Sequence, residues 1–490
     1  MKKTVALLCM LLATTVVCAQ NITARLVDKN TEKPIPFAAI KTGEYNGVIS
    51  NEEGYFTIQA TAQNQTVTIS CLGYTNKTLS VQDITDLHFI IPLDEAINQL
   101  STVYISNKKP NADSIIARAR RNLSKNYQTN LYKHDIFSRE TAYMDFDKLD
   151  FNIEKSSHVK KGNLKLANSS LDSLSKAIIN SKTKHFKDFK GVLYVGDSSQ
   201  TKLSVQKATE LLDQKNNLSI DEVQNRTERV ILKYLDTTLT YKLKTGLFKI
   251  EDSLSLKEKD KQEPKKNEYE INDLKGQATE LLKRSQFYDN SMLLKLLDAN
   301  LYTYRFVDVS SFNNELIYII NYAPRRSKAK YTGTLYITND TYAITRVNFK
   351  FAEGKRGEKF NLKLLLGVKY VENRRQGTVI FQKDSLNIYQ PQYIKLEEGR
   401  YFYVSRPLKF IENSPEKNKT SFDFTIEGNI MTKQELLLTA HSNISQTDFK
   451  TLTEAKTVPY MTLHSYDATI WKDNQTLEPL EEMKEFKGGD

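Results

Sequence analysis

The stretch that decides the fold is GVISNEEGYF, residues 47–56. Gly47 and Gly54 bracket a polar Ser-Asn-Glu-Glu core, and Tyr55 and Phe56 follow it. Asn and Gly tolerate the backbone of a tight turn, and aromatic residues suit a half-buried pleated strand. The stretch predicts a hairpin running into FTIQA, with Gly54 supplying backbone freedom at the turn and Phe56 as the first core residue of the returning strand.

Working outward, ITARLVD, FAAIKT, QTVTISCLGY and LHFIIPL read as further strands, and NTEKPIP as a loop with two prolines. In QTVTISCLGY, Val67, Ile69 and Cys71 alternate with Thr66, Thr68 and Ser70, which gives one buried face. Short strands recurring with turn signals between them predict an all-β sandwich over 20–96.

RLVDKNTEKPIPFAAIKT, GVISNEEGYFTI and VTISCLGY together resemble the carboxypeptidase-regulatory-like domain, a prealbumin-like (transthyretin-like) sandwich. The pattern elements fall on Pro36, Ala39, Gly54, Phe56, Gly73 and Tyr74, in the family's order. The resemblance implies a structural accessory module that carries no zinc ligands. A second stretch, SIIARARRNLSKNYQTNLYKHDIFSRE, is similar to the segment that follows such a domain in exported proteins of the Bacteroidetes cell envelope. Its marks are Asn126-Tyr127 and Phe137 to Glu140, with Ser138 where that family usually has Tyr. Some of those proteins continue into an outer-membrane barrel, so this resemblance implies compartment more than activity.

The N-terminus is a basic Met1-Lys2-Lys3 followed by an apolar run too short to span a bilayer comfortably. Small residues before Gln20 predict a signal peptide, 1–19, cleaved after Ala19. Processing as a lipoprotein at Cys18 competes, but Val17 precedes that cysteine where Gly, Ala or Ser is wanted. The mature chain would keep only Cys71, so no internal disulfide can form and a buried, inert thiol is expected. Loss of Lys2 and Lys3 with the leader lowers the formal charge from +11 to +9. That excess is spread along the chain and reads as a solvated surface, or as attraction to an anionic membrane or glycan. Nucleic acid is excluded as a partner by export.

INQLSTVYIS (97–106) reads as a strand leaving the sandwich, within a connecting segment of 97–127. Ala112, Ile115, Ile116, Ala119 and Leu123 form one apolar helical stripe, capped by Asn111, with Lys125 at its C-terminal end. Arg118, Arg121 and Lys125 share its opposite, solvated face. Region 128–300 reads as mixed α/β. LSVQKATELLD and LKGQATELLKRSQFYDNSMLLKLLD are predicted helical, TERVILKYLDTTLTYKLKTGLFKI strand-rich, and 255–273 a charged loop around Pro264. Residues 301–470 form a run of antiparallel strands. One hairpin is centred on Asn339-Asp340, a second lies in FNLKLLLGVKYVENRRQGTVIFQKDSLNIY, and Val347, Phe349 and Phe351 alternate with Arg346, Asn348 and Lys350. Such a sheet must curl into a half-barrel or be covered by helices, for which 204–213 and 275–298 are available. A polar tail, 471–490, is anchored by Trp471. The fold class expected is mostly β with α: a prealbumin-like sandwich, then an α+β region with a long antiparallel sheet.

No His-x-x-Glu, His-Glu-x-x-His, Gly-x-Ser-x-Gly or Gly-Lys-Ser/Thr motif occurs. The nearest approaches are His464 with Asp467 and Ser198 beside Asp197, neither in a catalytic context. The sequence names no catalytic, cofactor-binding or metal-binding residue and no cofactor. It predicts a non-enzymatic, exported envelope protein, periplasmic or peripheral to the outer membrane, that binds an envelope protein, glycan or lipid. Carriage of a lipid or lipoprotein in a half-barrel cavity is the alternative, and hydrolysis ranks third. A charge-bearing sheet face and the ending EFKGGD argue against a membrane barrel.

Overall fold

The computed structural model describes residues 20–43, 47–60, 65–96, 110–127, 131–181, 183–197, 200–212, 229, 232–246, 248–256, 267–313, 315–384, 386–471 and 476–487. The leader, the strand expected at 97–106 and the centre of the charged loop lie outside these residues. The chain divides into two compact units: 1–105 with 309–317 and 467–482, and the remainder.

The first unit holds β1 (Gln20–Asp28), β2 (Ala39–Lys41), β3 (Gly47–Ile49), β4 (Tyr55–Ala60), β5 (Thr66–Ser70), β6 (Lys77–Ser80) and β7 (Ile90–Leu93). They form two sheets, ordered β4-β1-β7 and β3-β2-β5-β6, so the sandwich expected from sequence is present. The opening hairpin is corrected. β3 pairs with β2 and β4 pairs with β1, so residues 50–54 carry the chain from one sheet to the other. Asn51 builds this corner: its Oδ1 accepts from the Glu53 and Tyr55 backbone N–H groups, both at 2.9 Å. Gly54 sits at φ +81°, and a Cβ there would stand 2.5 Å from the Leu26 carbonyl oxygen, so only glycine fits. Phe56 is fully buried among Ala24, Leu26, Ile58, Val67 and Ile91. Helix Val81–Asp86, not foreseen, is set by a capping box between Ser80 and Asp83 and drops Val81 and Ile84 into the same core. Cys71 is buried, and among the described residues it forms no disulfide.

The second unit is organised on one large sheet. Its strands are β8 (Tyr132–Ser156), β9 (Lys184–Val195), β10 (Thr201–Leu212), β11 (Thr240–Thr245), β12 (Phe248–Ser255), β14 (Tyr302–Phe312), β15 (Glu315–Pro324), β16 (Tyr331–Thr338), β17 (Ile344–Phe351), β18 (Lys359–Leu362), β19 (Val368–Lys383), β20 (Tyr389–Glu412), β21 (Lys419–Asn443) and β23 (Met461–Leu463). A separate small pair joins β13 (Glu268–Glu270) to β22 (Thr457–Pro459). The main order is β14-β15-β16-β17-β19-β20-β21-β8-β9-β10-β23, and the sheet does not close into a barrel. β21 pairs with β20 on one side and β8 on the other, so segment 132–212 completes the sheet begun at 302 and residue 300 is no structural boundary.

The hairpin about Asn339-Asp340 is present as β16 and β17. The helix expected at 203–213 is instead β10. Its Leu203, Ala208 and Leu211 are buried against β9, and pairing across twelve residues outweighs a helical propensity that is a weak local preference. Residues 268–270, expected in a loop, form β13, and Ile271 opens a helix. That helix, Ile271–Arg284, buries Ile271, Leu274, Ala278, Leu281 and Leu282, a stripe at helical spacing. Helix Ala112–Arg121 buries Ala112, Ile115, Ile116 and Ala119 as expected, and Asn111 Oδ1 accepts from Ser114 N–H at 2.9 Å. A helix the sequence did not signal, Lys161–Ser181, lays Ala167 and Leu171 against Ile153, Phe410 and Phe422.

The polar face of the sheet is not wholly solvated. Directly opposed residues run Thr378, Lys395, Glu435, Arg139, Asp188 and Thr209 across β19, β20, β21, β8, β9 and β10, and all are buried. Charges alternate in sign along the row. Arg139 grips Asp188 through two parallel bonds, Nε to Oδ1 at 2.9 Å and Nη2 to Oδ2 at 2.7 Å. Beside the row, Phe186 and Leu211 are covered by Met483 and Phe486 of the C-terminal segment.

Candidate ligand-binding cleft

The second unit contains a cleft of about 1120 Å³, above the usual range for a small-molecule site. Three stretches of chain supply its walls: the end of the helical segment at 120–127, the helix end and loop at 282–288, and the sheet at β8, β9, β19 and β20. Tyr127 is the keystone. Its hydroxyl donates to the Ile344 carbonyl at 2.6 Å and accepts from the Ile344 N–H at 2.7 Å, which ties the helical segment to β17. Burial pushes this phenol well above its ordinary pKa, so it stays neutral. Its ring lies 4.7 Å from Phe287, 5.2 Å from Phe381 and 6.1 Å from Tyr389, an aromatic wall drawn from four parts of the chain. Asn126 Nδ2 donates to the Thr341 carbonyl and Arg118 Nη1 to the Tyr342 hydroxyl, so Arg118 is engaged while remaining exposed.

Two polar groups in the cleft lining are buried and unpartnered. Among the described residues, neither His134 Nδ1 nor Gln390 Nε2 has a hydrogen-bond partner. Such groups are expensive to leave unsatisfied, and they mark positions where a ligand or water completes the bonding. His134 lies directly across from His441. Burial first, and then the His441 ring, hold its pKa down to about 3, so it is uncharged at neutral pH. At the mouth, Arg120 is exposed and Lys283 half-exposed, with Asp197 as the opposing acid.

The arrangement suits binding. A neutral histidine with an unpartnered Nδ1 can donate or accept one bond, and among the described residues no carboxylate is bonded to that nitrogen. His441, its neighbour, stands 3.5 Å from Asp384. Among the described residues no group of three His, Cys, Asp or Glu side chains is placed to hold a metal ion, and no helix is long and apolar enough to cross a membrane. Of the residues weighed from sequence, Asp197 lines the cleft, Ser198 lies outside the described residues and His464 is exposed. Tyr127, His134, Phe287, Phe381 and Gln390 come from positions scattered over more than 250 residues, so no local motif could announce them; the Asn126-Tyr127 pair was the nearest signal.

No curated protein matches the chain. A solved domain named for outer membrane lipoprotein sorting, from Vibrio parahaemolyticus, is similar at 7% identity, covering 69% of this chain and 97% of that one, with a TM-score of 0.21. That score is too low to carry a conclusion about fold or ligand. Residues 22–105 match the family model of the CarboxypepD_reg-like domain, and the two-sheet sandwich described above is the fold of that match. The chain thus carries a CarboxypepD_reg-like domain at its N-terminal end.

Proposed function

We propose that this is a non-enzymatic, exported protein of the cell envelope that holds an amphipathic ligand in the cleft of its second unit. The carrying observation is the juxtaposition in one cleft of the Tyr127–Phe287–Phe381 wall with two buried, unpartnered polar atoms, His134 Nδ1 and Gln390 Nε2. The wall takes an apolar portion by stacking and burial. The two polar atoms fix a hydrogen-bonding head group, and Arg120 and Lys283 at the mouth favour an anion. The sandwich acts as an accessory or interaction module, in keeping with its family match. Carriage of a lipid is the form this reading takes if the ligand bears an acyl chain, and the helix-covered sheet favours it over recognition of a glycan.

The test is mass spectrometry of small molecules extracted from protein purified without detergent, wild type beside Gln390→Leu and Phe287→Asp. Wild type should retain an amphiphile that both variants lose at least tenfold. An empty wild type that also fails to take up a fluorescent anionic amphiphile overturns the proposal.

A further inference from the structure

A different part of the second unit carries an inference that does not depend on the cleft. β18 and β19 form a hairpin whose tip, Lys363–Leu366, is one helical turn. Gly367 closes it in the left-handed region at φ +62°, where a Cβ would lie 2.0 Å from the Ser405 carbonyl oxygen, so the tip is a built feature of the chain. Leu364 is 102% exposed and Leu365 82%, with Phe360 and Leu362 also exposed beside them. Single exposed leucines are ordinary, but four large apolar side chains within the six residues 360–365 are not.

The surroundings of the tip are basic and aromatic. Lys363 Nζ lies 3.8 Å from the centre of the Tyr403 ring, and Lys369 Nζ lies 4.9 Å from that of Tyr401. Phe360 stacks on Tyr370 at 5.6 Å. A second hairpin, β11–β12, presents exposed Phe248 and Ile250, with Lys244 nearby; its Lys249 is engaged by Asp252 at 2.5 Å. Register brings the two tips to one strand edge. Val368 is opposite Val404 and Lys244 opposite Lys409, so the paired ends of the two hairpins stand five residue steps apart along β20, roughly 16 Å at about 3.3 Å per residue.

We infer that these two tips dock the protein on the surface of an anionic lipid bilayer, the leucines and phenylalanines entering the acyl boundary and the lysines meeting head-group phosphates. Apolar tips rimmed by tyrosine and lysine match the layered chemistry of a bilayer interface, apolar inside, aromatic at the boundary and anionic at the surface. A second copy of the chain is the other conceivable occupant. It is disfavoured because like tips would bring Lys363 and Lys369 against their equivalents.

The experiment is flotation with vesicles of phosphatidylethanolamine and phosphatidylglycerol, and with neutral phosphatidylcholine vesicles. It uses the full chain and the chain beginning at Gln20, so that the apolar N-terminal run cannot account for binding. Wild type should float with the anionic vesicles and at least tenfold less with the neutral ones. Leu364→Ser/Leu365→Ser should lose binding tenfold or more, while urea unfolding stays unchanged because both side chains are exposed. Lys363→Gln/Lys369→Gln should weaken binding severalfold and flatten its dependence on salt. Failure of wild type to float overturns the inference. So does sedimentation showing a dimer that Leu364→Ser/Leu365→Ser dissociates, since that assigns the tips to self-association. Binding that the lysine variant leaves unchanged, and that is equal on neutral vesicles, overturns the anionic specificity.

Discussion

The sandwich and the large sheet are both β structures, but they fill their interiors by different means. In the sandwich, Ala24, Leu26, Ile40, Phe56, Val67 and Ile69 meet as a continuous apolar core. The middle of the large sheet buries Lys395, Glu435, Arg139 and Asp188 in one cross-strand row. An apolar core is additive and forgiving, since each side chain contributes its own burial. A buried ionic row is conditional: each charge is tolerable only while its partner stands. A one-residue slip of β8 would set Ser138 or Glu140 in place of Arg139 opposite Glu435 and Asp188, so the row also penalises misregister in strands of up to 25 residues.

The sharpest way to break this comparison is at the Arg139–Asp188 pair. Asp188→Ala should destabilise the second unit by about 3–5 kcal/mol, because it strands a buried guanidinium. Arg139→Met with Asp188→Leu should recover most of that loss, since the desolvation cost of both ions goes with them. Urea unfolding followed by far-ultraviolet circular dichroism measures both. If Asp188→Ala is no worse than a surface change, the row is not tightly coupled and the contrast fails.

A smaller effect is expected in the sandwich, where Phe56→Ala should cost about 3 kcal/mol through lost burial and an unfilled cavity. Trp471 is the chain's one tryptophan, and it is buried in the same unit. Its fluorescence reports the transition without interference from the sheet. An unchanged midpoint would mean that Phe56 does not carry the core.

The two regions also differ in how much of them the sequence disclosed. The sandwich was legible because its signals are local: Gly54 before Phe56, and the alternation of Val67, Ile69 and Cys71. What local signals missed was the change of sheet at residues 50–54: β3 stays with its neighbour β2, while β4 goes to the distant β1, Gln20 opposite Ala60. The sheet disclosed its β16–β17 hairpin, where strand and turn are contiguous. It concealed β10, whose Ala-Thr-Glu-Leu-Leu reads as helix until β9 is beside it. The buried row was equally hidden, because Arg139 and Asp188 look like ordinary surface charges until the four other strands of the row stand beside theirs. The cleft is legible only in three dimensions, for the same reason.

The smallest expected effect sharpens the comparison where the sheet meets the cleft. His134 is buried on β8, and its pKa is held near 3 against an ordinary value of 6.5, by burial first and His441 second. Between those values the unfolded chain binds a proton that the folded chain refuses, so stability rises with pH across this window. The contribution is fully present above about pH 6.5 and is lost progressively as pH falls towards 3. At pH 5 the loss amounts to about 2 kcal/mol. Glu210 and Glu397 also have depressed folded pKa values, Glu210 because bonding and charge from His185 outweigh its burial, and Glu397 because Lys395 and Arg374 outweigh its own. Their contributions are lost only below about pH 4.3, so between pH 6.5 and 5 they stay in place, and comparison with a variant lacking His134 assigns its share of the change. His134→Leu should therefore be close to wild type at pH 7, since it also removes an unpartnered buried nitrogen, and should lose about 2 kcal/mol less than wild type on going to pH 5. Urea titrations at pH 7, 6 and 5 give the difference directly. Parallel pH profiles for the two proteins would mean that His134 takes up its proton in the folded state, and hence that the cleft wall around it is wetter than its burial implies.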